Sequence, residues 1–264
     1  MSSSIGSVLG VKSVALVLLS AVVIGGTSSE PPTGYAARVV IPLRRGPDQM
    51  NGRLELLEDA RIRPAMRTAI AESYGGDPCA DHAAPAVQSL CAGAGGRAHL
   101  LPALLQLRDD RGRVVATRVA ERPLAELSEA TLYGTERRTF LFTVDLSAGF
   151  GSYSGPLTRL AEPSSRGLGW LTADSAGVAR DTITLVSTLK TAWRRAPRSR
   201  GRGEDILMVM CRPDLSAPAD SASARFVLTL ERFTYDGTRW TLRRRQQPGC
   251  YESDEDFPPA TEFP

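Results

Sequence analysis

The chain has 264 residues, with 32 Lys and Arg against 29 Asp and Glu, four cysteines and two histidines. A formal charge of only +3 excludes the strong basic excess that marks nucleic-acid binding, and the length supplies core for one large or two small folded units. Arginine carries nearly all the positive charge, since Lys12 and Lys190 are the only lysines; this is read as a bias of composition rather than a site.

Lys12 precedes an apolar run over residues 14–24, followed by Gly-Gly-Thr-Ser-Ser-Glu-Pro-Pro. One basic residue, an apolar run of this length and a small, polar exit read as an export signal. The run is shorter than the ~20 apolar residues of a bilayer crossing. Residues 1–26 are therefore expected to be a signal peptide, cleaved near Gly26 or after Ala36, with an uncleaved anchor over residues 8–26 as the alternative. The address implied is extracytoplasmic, periplasmic or secreted. An oxidising address favours crosslinked cysteines and makes cytosolic cofactors poor candidates, so no cofactor is assigned.

Residues 27–37 read as a linker, 38–136 as an N-terminal α+β part, 137–250 as a β-rich part and 251–264 as a loose acidic tail. Within the first part, 38–43 is β-branched and apolar and predicts a strand. Pro64, the spacing of Met66, Ala69, Ile70 and Tyr74, and Gly75 as a stop predict a helix over 64–74. Residues 77–97, rich in Ala, Gly and Pro, predict a crosslinked loop or short helix. Apolar runs at 104–107 and 114–119 flank Asp-Asp-Arg-Gly, which predicts a hairpin.

The alternation of Phe140, Phe142, Val144 and Leu146 with Thr139, Thr143, Asp145 and Ser147 predicts a half-buried strand, followed by a Gly/Ser loop over 149–155. Leu185, Val186, Leu189, Ala192 and Trp193 fall on one helical stripe, so 181–195 is predicted to be helical. Residues 206–210 are apolar on both faces, as an interior strand is. Residues 226–245 predict a hairpin closed by Asp236-Gly237, with Tyr235 opposite Thr238, Phe233 opposite Trp240 and a bulge near Glu231. The fold expected is α+β and strand-dominated: a mainly antiparallel sheet with about two packed helices.

Cys79 is expected to pair with Cys91, and Cys211 with Cys250, joining the interior strand to the end of the hairpin. Each bridge is worth about 2–4 kcal/mol through restriction of the unfolded chain. The competing reading is a metal: His82 and His99 stand with Cys79 and Cys91 in Cys-x2-His-x8-Cys-x7-His, the right inventory for zinc, but an oxidising space favours the bridge, and no metal is assigned. Ser152 and Ser154 are candidate nucleophiles, yet neither fits Gly-x-Ser-x-Gly, and any base must come from those two histidines; no catalytic residue is assigned. Residues 93–98 match G-x-G-x-x-A without the preceding strand that dinucleotide binding needs. The arginines at 194, 195, 198, 200 and 202 read as a solvated loop. The function expected is an exported, non-enzymatic ligand-binding or envelope accessory module, partnered if at all by an envelope protein. An anchored subunit of a membrane complex and a secreted serine hydrolase are the alternatives.

Overall fold

The computed structural model describes residues 30–44, 51–71, 79, 85–91, 100–134, 137–146, 155–175, 178–198, 201–214 and 226–264. The expected leader, His82, His99, Ser152 and Ser154 lie outside these residues. Three sheets organise the chain. The first runs β1 (Tyr35–Leu43), β2 (Gly52–Asp59), β3 (Leu104–Asp109), β4 (Val114–Val119) in that order. The second contains β5 (Glu126–Ala130), β6 (Thr139–Asp145), β7 (Pro156–Ser164), β8 (Gly167–Trp170) and β11 (Thr184–Val186), in the order β11-β7-β6-β5, with β8 also on β7. The third contains β9 (Thr172–Ser175), β10 (Val178–Thr182), β12 (Thr191–Pro197), β13 (Glu204–Pro213), β14 (Phe226–Tyr235) and β15 (Trp240–Pro248), in the order β10-β9-β15-β14-β13-β12. Every pairing described is antiparallel except β15 with β9. The strand-dominated α+β class and its antiparallel pairing hold, with the strands divided among three sheets rather than gathered in one.

The period-2 alternation of side chains explains the stacking. Phe140, Phe142 and Val144 of β6 pack with Leu54 and Leu56 of β2 and Leu105 and Leu107 of β3. The opposite faces of β6 and β7 present Leu141 and Leu160 to Ile206, Met208, Phe233 and Trp240 of the third sheet. The second sheet is thus the middle layer. Strand β6 is half-buried as expected toward its end, where Thr143 is partly and Asp145 openly exposed, whereas at its start the second face is covered as well, with Thr139 fully buried. Strand β13 is the expected doubly covered strand: Ile206 and Met208 face the middle layer, while Leu207 and Val209 face outward into a third cluster.

That outer cluster corrects the reading of the C-terminus. Tyr251 and Phe263 are buried against Val209, Leu228 and Leu230, and Phe257 packs beside them. Residues 251–264 are a strap over the outer face of the third sheet, because three aromatics outweigh the acidic residues between them. A strap also removes the need for a bulge. The pairing from Val227↔Pro248 to Tyr235↔Trp240 runs without a break, and both faces of β14 are covered. The hairpin register differs from expectation: Phe233 pairs with Leu242, and a four-residue loop, 236–239, replaces the two-residue turn.

The helix expected over 181–195 is absent; these residues form the end of β10, β11 and β12. Its supposed stripe is split, with Leu185 in the middle core, Leu189 69% exposed in the turn before β12, and Ala192 and Trp193 on opposite faces. Threonine-rich sequence at a sheet edge pairs in preference to coiling, since β-branched side chains suit the pleated surface. Two short helices are described: α1 (Arg67–Ala71), which continues a 3-10 turn at Pro64–Met66, and α2 (Gln88–Cys91). Residues 72–75 of the helix expected over 64–74 lie outside the described residues. Met66, Ile70, Val87 and Leu90 form a small cluster between the two helices. Among the described residues no helix is long and apolar enough to cross a membrane.

The 236–239 loop carries a pH signature. Asp236 Oδ1 accepts the backbone N–H groups of Arg239 (3.0 Å) and Thr238 (2.9 Å) and the Thr238 hydroxyl (2.8 Å). The Arg239 N–H first, then the two groups of Thr238, pull the Asp236 carboxyl from its ordinary 3.8 down to about 2. A depressed carboxyl stabilises the fold above its unfolded pKa, and that contribution is lost as pH falls through the folded value. Between about pH 4 and pH 2 the parent is therefore expected to lose thermal stability more steeply than Asp236→Asn; parallel thermal scans check this, and identical slopes refute it.

Candidate functional site

Both expected crosslinks are present. Cys79 and Cys91 are bridged with Cα atoms 5.5 Å apart, and Cys211 and Cys250 with Cα atoms 4.9 Å apart. The second bridge ties the end of β13 to the residue after β15, where the strap begins. Two bridges point to folding in an oxidising, extracytoplasmic environment. Among the described residues no group of three or more His, Cys, Asp and Glu could hold a metal ion. Of the glycine- and serine-rich loop, only Gly155 is described at its far end. A side chain there would place a Cβ 1.9 Å from the Ser187 carbonyl oxygen, so this glycine is required by close approach to the end of β11.

A cleft with a volume of about 320 Å³ lies between α1 and the edge of the middle sheet. Its floor is apolar: Ile70 and Ala125 are buried, with Leu124 and Pro156 beside them. Its rim carries Arg67, Arg122, Glu126 and Asp145. Glu58, 4% exposed, fixes the geometry: one oxygen pairs with Arg67 and the other accepts the Ala125 N–H at 3.4 Å. One buried carboxylate thereby clamps the helix to the segment that forms the opposite wall. Thr143 in the cleft shares a hydroxyl–hydroxyl bond of 2.8 Å with Thr158. Asp145, the end of β6, and Pro156, the start of β7, both line this cleft.

The second cleft, about 190 Å³, opens where the middle and third sheets meet. Trp240 Nε1 donates to the Tyr133 hydroxyl at 2.8 Å, and the Tyr133 ring stands edge-on to Tyr235 with centroids 4.7 Å apart. Two ion pairs border it, Arg239 with Asp174 at 3.0 Å and Arg137 with Glu162 at 3.8 Å. Burial first, then the Glu162 carboxylate, push the Tyr133 hydroxyl up to about 12, so it stays neutral. Tyr133 and Trp240 are themselves buried; their faces are spent on each other and on Arg137, whose guanidinium lies 5.5 Å from the Tyr133 centroid. This cleft offers polar rims more than ring faces, whereas the larger cleft presents the exposed Ala71 and the partly exposed Leu124 and Pro156 to its opening.

The arginine run was expected to be a solvated loop, but Arg194 and Arg195 lie in β12 and Arg198 is a structural hub. It bonds Asp205 at 3.2 Å, the carbonyls of Leu132 and Glu204 at 3.2 and 3.1 Å, and that of Arg202 at 2.9 Å. Gly203 sits at φ +100, where a Cβ would meet the Leu132 carbonyl oxygen at 2.3 Å. None of the rim residues of the larger cleft stands out in the sequence, because α1, the 122–126 segment and β6 meet only in three dimensions. Compared with known protein families, characterised proteins and solved structures, the chain matches none.

Proposed function

We propose that this is an exported, non-enzymatic ligand-binding module of the cell envelope and that the cleft beside α1 is its site. The observation that carries the reading is that cleft of about 320 Å³ with an apolar floor and a hydrogen-bonding rim, the usual form of a small-molecule site. Two guanidinium and two carboxylate side chains share the rim, with Arg67 already paired to the buried Glu58, so both signs of charge meet the opening. It suits a small molecule with an apolar body and a neutral or zwitterionic head. Among the described residues the cleft is lined by arginine, threonine, carboxylate and apolar side chains and by no serine, cysteine or histidine, the usual nucleophiles and base, which favours binding over hydrolysis.

Hydrophobic dipeptides are the direct probe. At concentrations 100-fold above Kd, binding stabilises the native state by about 2.7 kcal/mol, a rise in Tm of roughly 5–10 °C for a chain this long. Ala71→Trp, at an exposed helix position on the cleft wall, is expected to abolish that rise while leaving the unliganded Tm within about 1 °C, as surface changes do. A full shift in Ala71→Trp, or none in the parent, overturns the site. Labelling by a serine-reactive phosphonate that disappears in Ser152→Ala or Ser154→Ala would replace binding with hydrolysis. In an anchored subunit, by contrast, the leader would persist in a membrane fraction.

A further inference from the structure

We infer that the export signal is removed on the N-terminal side of Glu30, and that residues 30–36 belong to the folded unit instead of a linker. This rests on the export reading above. Two cleavage positions suit the sequence, one near Gly26 and one after Ala36, where Gly34 supplies the small residue two positions earlier. The structure separates them.

Strand β1 opens at Tyr35, which pairs with Asp59 across the sheet. The Gly34 carbonyl accepts the Ala60 N–H at 2.8 Å, the Tyr35 N–H closes a turn onto the Pro32 carbonyl at 3.0 Å, and the Tyr35 hydroxyl donates to the Pro102 carbonyl at 3.0 Å. Gly34 has φ +87, a conformation glycine adopts at no steric cost. The small residue that makes 34–36 resemble a cleavage sequence is thus already required by a turn.

The decisive contact is deeper. Arg108 is wholly buried in β3. Its guanidinium donates to Glu55 at 2.8 Å, to the Gly112 carbonyl at 2.9 Å and to the Glu30 carbonyl at 2.8 Å. A guanidinium cannot shed its charge in a protein, and a buried charged donor deprived of an acceptor is strongly destabilising. Cleavage after Ala36 would remove the Glu30 acceptor, the Gly34 carbonyl and the Tyr35 side chain together, taking one acceptor from the buried Arg108 guanidinium. Cleavage near Gly26 keeps all of them.

Intact-mass measurement of the exported protein is the test. A processed chain that begins at or before Glu30 is the expected result. A chain beginning at Ala37, or an unprocessed chain held in the membrane fraction, overturns the inference; an unprocessed chain in the cytoplasm with four free thiols instead overturns the export reading beneath it. A second arm keeps folding in view. In a precursor lacking residues 27–36, with the leader joined directly to Ala37, the exported protein should unfold at least about 5 °C below the parent. An unchanged Tm counts against the inference.

Discussion

Asp205→Ala is expected to destabilise the protein by about 3–5 kcal/mol, the range for breaking a buried ion cluster from one side. Asp205 is 2% exposed and lies at the start of β13. Its two oxygens serve different guanidinium groups, Arg198 Nε at 3.2 Å and Arg232 Nε at 3.1 Å. Without the carboxylate two like charges face each other in a site shielded from water, and Arg198 also anchors the chain at Leu132 and Glu204. In urea the midpoint should fall by roughly 1–2 M at unchanged slope. Adding Arg232→Met should recover part of the loss, since the second change removes the charge left unpaired. A loss below about 1 kcal/mol would show that water enters the cluster freely, because exposed pairs are worth no more than that.

Phe263→Ala is expected to cost about 3 kcal/mol, the lower end for truncating a buried phenylalanine. Phe263 is 4% exposed, one residue from the end of the chain, and its ring stacks on Phe257 with centroids 5.7 Å apart. Together with Tyr251 these rings cover Leu228, Leu230 and Val209. The charged contacts of the strap are weaker supports: Lys190 meets Glu252 at 3.8 Å with the glutamate 74% exposed, and exposed pairs of this kind contribute little. Glu252→Gln should therefore change stability by less than about 0.5 kcal/mol, while Phe263→Ala also raises binding of an apolar dye as the sheet face is uncovered. Chemical denaturation of the two variants separates the causes. The reverse ranking would mean that charge, not burial, holds the strap.

Local signals were legible where a strand carried its own evidence. The alternation through Phe140, Phe142 and Val144, the doubly apolar 206–210 and the Asp-Asp-Arg-Gly turn all name strands that exist. The Cys211–Cys250 pairing follows from the placement of β13 beside the hairpin, and Cys79–Cys91 from their closeness along the chain. The 181–195 stretch failed because its apolar residues satisfy a helical spacing by coincidence, while the sheet edge beside β13 rewards its threonines. The hairpin register failed by two residues because Asp236 uses its side chain to cap a four-residue loop, and that choice is invisible in the pair Asp-Gly alone. The larger cleft was not legible: Ile70 reads as a core residue of a helix, Ala125 as filler, and Asp145 as the polar face of a strand.

By itself the sequence determined the strand-dominated character and the pairing of the cysteines, since each depends on residue type and short-range spacing. Only the tertiary structure decided that the middle sheet is covered twice, that the acidic C-terminus is a strap, and that α1 and the 122–126 segment enclose a cleft. Those features depend on which apolar face meets which. Many arrangements bury the same residues, and the hydrophobic effect that drives burial has no direction of its own.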